Sequence, residues 1–174
     1  MSVMNRLREQ FVRQRRTEIG TAEASGTVNK RSKLPQVVIC TDGSCEPNPG
    51  EASWGAVLTW SNSGQTQEAG GYLGHATNNI AELTAAIESL KLLNEPHRVT
   101  LNSDSQWLVN CATGYWRRHT HHELWSQLEE LAQPHKIHWQ WVRGHAGDTC
   151  NERAHELAEQ HRRDAQPSKA PRWG

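Results

Sequence analysis

This sequence predicts an α/β fold in which a five-stranded mixed sheet is flanked by helices. Two observations carry that expectation. Three strand-like runs follow one another through short turns, the spacing of an antiparallel meander. The later strand-like runs are instead separated by segments of helical periodicity, as parallel neighbours joined by crossovers require. The expected order is βββαβααβα, with helices covering the sheet.

The ordered body begins at Leu34-Pro35. Val37-Val38-Ile39-Cys40 is a β-branched run leading into Thr41-Asp42-Gly43-Ser44, a buried strand with a turn after it. Pro47, Pro49 and Gly50 mark a loop. Gly55 to Trp60 is a second strand, Ser61-Asn62-Ser63-Gly64 a hairpin turn, and Gln65 to Ala69 a third strand. Thr77 or Asn78 caps a helix to about Leu93, with Ile80, Leu83, Ile87 and Leu90 on one face. Arg98 to Asp104 is a fourth strand, followed by a helix to about Ala112. Another helix runs from His121 or His122 to Leu131 and carries Leu124, Leu128 and Leu131. Lys136 to Val142 is a fifth strand, where Ile137, Trp139 and Trp141 alternate with His138 and Gln140. A loop over 144–149 leads to Asn151, the expected cap of a last helix.

The 174 residues carry 19 basic and 19 acidic side chains, but unevenly. Residues 1–36 hold eight basic and three acidic residues, residues 37–160 seven and fifteen, and residues 161–174 four and one. The domain expectation is therefore a basic, disordered extension over 1–35, an acidic ordered body over 36–164 and a flexible tail over 165–174. An acidic body is a poor nucleic-acid sponge but suits a site that gathers divalent cations. No apolar run approaches the roughly 20 residues of a membrane helix, and no secretory h-region is present. A cytoplasmic protein follows, and a monomer without an obligatory protein partner, since no heptad repeat is visible. Cys40, Cys45, Cys111 and Cys150 form no CxxC pair, which argues against a disulfide scaffold or a thiolate zinc site and for a reducing compartment.

Asp42 ends the first strand and Asp104 the fourth, with a crossover helix between them. If the two strands pair in parallel about 4.8 Å apart, both carboxylates reach one sheet edge, where open α/β sheets hold ligands. Glu82, in the first turn of the crossover helix, reaches the same edge. Acids this close repel unless a divalent cation is shared, and hard oxygen donors favour Mg²⁺ or Mn²⁺. Each acid also has an ordinary reading: Asp42 as a turn residue, Glu82 as compensation for the helix dipole, Asp104 as a helix cap. Spacing alone leaves both sets of readings open.

Several motifs occur in order along the body: Thr41-Asp42-Gly43-Ser44-Cys45 with Asn48-Pro49-Gly50; Thr77-Asn78-Asn79 with Ala81-Glu82-Leu83; Ser103-Asp104-Ser105-Gln106; Trp141-Val142-Arg143-Gly144-His145-Ala146-Gly147; and Asn151-Glu152-Arg153. Together they closely resemble type 1 ribonuclease H over roughly residues 36–163. The resemblance implies a ribonuclease H-like fold and an endonuclease that cuts the RNA strand of an RNA–DNA hybrid, leaving 3′-hydroxyl and 5′-phosphate ends. It implies two Mg²⁺ ions, bridged by Asp42 and completed by Glu82 and Asp104, one activating water and one stabilising the leaving oxygen. It also gives His145 a part in proton transfer or product release.

The sequence departs from the family at one position. The family's fourth carboxylate, four residues after the Asn that matches Asn151, is His155 here. Neutral imidazole can ligate, but brings no negative charge and is a softer donor, so with His155 as a ligand the enzyme is expected to tolerate or prefer Mn²⁺ over Mg²⁺. A histidine ligand must be deprotonated, so activity is expected to fall below about pH 6. Two other readings stay open: a neighbouring acid such as Glu152, one turn away, takes over, or the site is impaired and the protein mainly binds hybrids. By resemblance, Gly43, Ser44, Cys45, Asn48, Asn78, Glu82 and Gln106 face the RNA strand, and Thr77 and Asn79 the DNA strand. The family's basic protrusion is mostly missing after Asp104. Trp116 remains there as a stacking candidate, and the basic extension is expected to supply part of the lost grip.

Overall fold

The structure, a computed structural model, describes residues 34–144 and 146–165. Most of the expected extension, nearly all of the tail, and His145 lie outside these residues. The elements are β1 (Gln36–Glu46), β2 (Gly50–Trp60), β3 (Thr66–Ala76), α1 (Asn78–Lys91), β4 (Arg98–Ser103), α2 (Gln106–Ala112), α3 (His122–Ala132), β5 (Lys136–Trp141) and α4 (Thr149–Ala165). The strands form one five-stranded sheet in the order β3-β2-β1-β4-β5. β1 pairs antiparallel with β2 and parallel with β4, β2 pairs antiparallel with β3, and β4 pairs parallel with β5. This is the mixed sheet that the sequence predicts. No helix among the described residues is long and apolar enough to cross a membrane.

Alternation along β1 feeds two apolar clusters, one on each side of the sheet. Val37 and Ile39 join the larger cluster with Leu83, Ile87 and Leu90 of α1, Leu108 of α2, and Trp125 and Leu128 of α3. Val38 and Cys40 face the smaller one with Val57, Ala154 and Leu157, under α4. Asp42 continues the second face and therefore points to the α4 side.

The three first strands are longer than their apolar runs. β1 continues past Asp42 to Glu46, because β2 keeps pairing with it out to Glu46↔Glu51. Gly50 accordingly opens β2 instead of closing a loop. β3 runs seven residues beyond Ala69 through Gly70 and Gly71, whose weak strand propensity hid it. Both glycines lie where a Cβ would be within 3 Å of His161 or Trp54. α4 starts at Thr149, not Asn151. The Asp148 carboxylate caps it, accepting the Cys150 and Asn151 N–H groups at 3.0 and 3.2 Å.

One expectation is overturned. Cys40 of β1 and Cys150 in the first turn of α4 form a disulfide across 110 residues of sequence. The absence of a CxxC pair speaks only to local pairing. The packing of α4 on β1 brings the two sulfurs together. Cys45 and Cys111 remain free.

At the far end of the sheet, His97 is buried and wired on both ring nitrogens. Its Nδ1 lies 2.6 Å from Glu95 O, and its Nε2 accepts from Trp60 Nε1 at 3.3 Å. Its backbone N–H donates to His135 Nδ1 at 3.1 Å. Burial, and then His97 nearby, hold the His135 pKa below its usual value. A depressed histidine pKa stabilises the fold above the unfolded value of about 6.5 and loses that stability as pH falls through the folded value. His135→Gln keeps an acceptor for the His97 amide but cannot titrate. Between pH 7 and 5 the melting temperature of the variant should fall less than that of the parent. Parallel curves would contradict the wiring.

Candidate active site

The parallel ladder between β1 and β4 ends at Thr41↔Ser103. The next residue on each chain is an acid, Asp42 or Asp104, so both emerge at one point of the sheet edge. Asp42 sits inside β1, not at its end, because the antiparallel pairing on its other side continues. Asp104 does not cap the following helix. Ser105 does, its hydroxyl accepting from Leu108 N at 3.3 Å, which leaves the Asp104 carboxylate for the edge.

Glu82 arrives from α1. The N-cap is Thr77, whose hydroxyl accepts from Ile80 N at 3.4 Å. α1 lies close to β1 because Gly43 has no side chain. A Cβ there would be 2.5 Å from Glu82 N and 2.9 Å from Ala81 Cβ. The glycine after Asp42 thus brings Glu82 to the acids. One ligand oxygen from each of Asp42, Glu82 and Asp104 lies within 4.8 Å of the others.

His155 comes from α4, which approaches by the same device. A Cβ on Gly55 would be 2.2 Å from Ala154 O, and Ser53 Oγ donates to Ala158 O at 2.5 Å. His155 Nδ1 lies 2.7 Å from Asp42 Oδ2. If Asp42 is ionised, Nδ1 carries the proton and the lone pair is on Nε2, the tautomer that a ligating histidine uses. Glu152, the alternative acid, accepts from Gly147 N at 3.1 Å. Glu156 is held by Arg153 at 2.8 Å.

The electrostatics describe a pocket short of positive charge. Burial, and then Asp104, push Asp42 up to about 6, against the pull of the His155 hydrogen bond. Glu82 is pushed well above the usual carboxylate range by burial, then by Asp42 and Asp104. Glu82 Oε1 receives Asn78 Nδ2 at 3.5 Å, while Glu82 Oε2 is a buried acceptor with no hydrogen-bond donor. Three converging hard oxygens, two raised acids and an unserved carboxylate oxygen fit a divalent cation.

The other expected residues lie on β1, the β1–β2 turn, the start of α1, the start of α2 and the segment after α2. Asn48 Oδ1 accepts from Asn78 N at 3.1 Å, tying the β1–β2 turn to the start of α1. Cys45 Sγ faces Pro47 O, Asn48 Oδ1 and Ala76 O. Asn79 is half-buried beside the Thr77 cap, and Gln106 is exposed at the start of α2. The Ser44 side chain is engaged inward, donating to Glu159 Oε1 and accepting from Arg162 Nε, each at 3.0 Å. Its hydroxyl is thereby committed to the Glu159–Arg162 cluster of α4. Trp116 is 43% exposed and lines an open hollow of about 470 Å³ with Trp107, Cys111, Tyr115, Arg117 and His119. Arg118 does not face outward with them. It stacks on Trp125 at 4.3 Å and pairs with Glu129.

Sequence reasoning missed Gly55 and the buried Arg162 cluster, both of which seat the helix carrying His155. Gly55 opens an apolar strand and gives no local signal. Arg162 looks like any basic residue near a helix end.

A family model for RNase H matches residues 35–163. A ribonuclease H from Chelativorans sp. (strain BNC1) is 43% identical over 138 residues, covering 72% of this chain and 84% of that protein. RNase H1 from the halophilic archaeon Halobacterium salinarum NRC-1, known from a crystal structure, is 31% identical with a TM-score of 0.63 over 75% of this chain and 99% of that one. LC11-RNase H1, crystallised in complex with RNA/DNA hybrid, shares the fold at 23% identity and a TM-score of 0.60, over 71% of this chain and 97% of that one.

Proposed function

The chain belongs to the ribonuclease H family and is a ribonuclease H, and from that premise we propose that it hydrolyses the RNA strand of RNA–DNA hybrids with two divalent cations, leaving 3′-hydroxyl and 5′-phosphate ends. The observation that carries the proposal is the convergence of Asp42, Glu82 and Asp104 within 4.8 Å, with a Glu82 oxygen left unserved. Mg²⁺ is the expected ion and Mn²⁺ the alternative, held by the three acids and His155. When bound, such ions supply the Lewis acidity that activates water and stabilises the leaving oxygen.

The chain's own residues bind and orient. Asp42 lies within 4.8 Å of Glu82 and Asp104 and hydrogen-bonds His155, so it is in contact range of every residue that would hold the ions. Asn48 and Asn78 are braced against each other, Asn78 reaches Glu82, and these two with the exposed Gln106 would contact the RNA strand. A protein that tells hybrid from DNA duplex reads 2′-hydroxyls on one strand, and side-chain amides both donate and accept to such groups. Trp116 and its hollow offer an aromatic surface for the DNA strand. His145 is assigned proton transfer or product release by resemblance alone.

His155 is proposed as a ligand held by Asp42. Replacing a ligand or its support typically costs roughly 10–100-fold in affinity or activity. His155→Ala should fall by that order in both metals. His155→Asp should restore activity and shift preference towards Mg²⁺. Rates on a labelled hybrid in Mg²⁺ and in Mn²⁺ provide the check. Equal rates for all three proteins in both metals would remove His155 from the mechanism.

A further inference from the structure

Asp104 is the member of the acid cluster that secondary structure holds least. It follows the last residue of β4 and precedes the N-cap of α2, so no strand ladder or helix fixes its backbone. It is also the most exposed of the three acids, and charge repulsion would drive it outward. The segment that leaves β5 restrains it twice. Trp141 Nε1 donates to the main-chain oxygen of Asp104 at 3.0 Å. A Cβ on Gly144 would lie 2.5 Å from Asp104 Oδ2, so the carboxylate occupies the notch that this glycine leaves. Val142 N donates to Ser103 O at 3.0 Å and keeps the two segments in register.

Neither residue is accounted for by packing or backbone shape. Trp54, Trp60, Trp107, Trp125 and Trp139 all pack in the larger apolar cluster. Trp141 is not part of it and is 44% exposed. Gly144 does not adopt the left-handed conformation that favours glycine. What it supplies is space, and the group in that space is a carboxylate.

We propose that Trp141 and Gly144 are positioning residues for the cation site, holding Asp104 in the geometry that completes it. The inference rests on the cation-binding reading of the three acids. Preorganisation is the physical reason: an acid already held beside its like-charged neighbours need not be ordered when the ion arrives. Trp141→Phe keeps the ring and removes the donor. Gly144→Ala places a methyl where the carboxylate lies, and because that carboxylate ends a rotatable side chain, the acid swings away and the fold is kept.

The test titrates MnCl₂ alone, without nucleic acid, into the full chain by calorimetry. Each variant is also melted in chelator. Asp104→Asn must weaken binding, which places the ion at this site. Trp141→Phe should then raise the Kd roughly three- to tenfold, the effect of losing one neutral hydrogen bond, and Gly144→Ala should raise it further. Both should melt in chelator as the parent does. Trp60→Phe, which loses the bond to His97, should melt lower and keep the parent Kd, so that lost stability alone does not mimic the effect. An unchanged Kd in either variant removes that residue from the role. A Kd shift accompanied by an equally marked loss of melting temperature makes the role structural and overturns the proposal. If the parent binds no Mn²⁺, or Asp104→Asn binds as the parent does, the cation-binding reading fails and this inference with it.

Discussion

Asp42→Asn should abolish most hybrid cleavage while making the protein harder to melt in chelator. The activity loss is expected to be on the order of a hundredfold to a thousandfold or more, as when a transition state loses one of its charge stabilisers. The stability gain follows from the cost of ionising Asp42 in place. Burial and Asp104 raise its pKa from 3.8 to about 6. A carboxyl with a higher pKa in the folded state stabilises the fold while protonated. That contribution is complete below the unfolded value and lost as pH rises through the folded one. At pH 7 the parent has lost it, and an uncharged amide regains on the order of 2 kcal/mol. Added Mg²⁺ should raise the melting temperature of the parent, by binding the folded state only, and do little for Asp42→Asn. The check is a pair of melting curves, in chelator and in Mg²⁺, beside a rate on labelled hybrid. A variant that melts below the parent in chelator would contradict the repulsion described here.

Reduction of the Cys40–Cys150 bond is expected to have the largest effect on stability. It closes a loop of 110 residues, and the chain-entropy account assigns a loop of that size up to roughly 4–5 kcal/mol. For a domain of this size that corresponds to a drop of order 10 °C in melting temperature. Cys150→Ser should melt lower by a comparable amount. A thiol reductant should lower the parent to the level of the variant and leave the variant unchanged. The bond joins the strand bearing Asp42 to the first turn of the helix bearing His155, but Ser53, Gly55 and the Ser44–Glu159–Arg162 cluster also seat that helix. Cleavage below the melting transition should therefore change much less than stability does. If reduced and oxidised parent melt together, the bond does not contribute in this way.

The parts of the fold that were legible in the sequence depend on short-range rules. Thr77 as a cap, the Leu83, Ile87 and Leu90 face of α1, and the alternation of β5 follow from local chemistry and periodicity. What stayed hidden needed a distant partner. β1 runs past Asp42 because β2 continues beside it, and β3 crosses two glycines because Trp54 and His161 fill the space they leave. The disulfide joins residues that no spacing rule connects. The three acids were legible because Asp42 and Asp104 each follow a β-branched or apolar run read as a strand, and Glu82 lies in the first turns of the helix joining those strands, so their order in the chain places all three at one sheet edge. Their supports were not. Gly43, Gly55 and Gly144 act through the absence of a side chain, and which group enters each gap is set by the tertiary fold.

The central claim is that these converging acids hold divalent cations for cutting RNA paired with DNA. Its most direct test is a hybrid labelled on each strand, incubated with the parent and with Asp42→Asn in Mg²⁺ and in Mn²⁺. The account predicts internal cleavage of the RNA strand alone by the parent, with 3′-hydroxyl and 5′-phosphate products, and an intact hybrid with the variant. An RNA strand left whole by the parent in both metals, or cut equally well by Asp42→Asn, would contradict it.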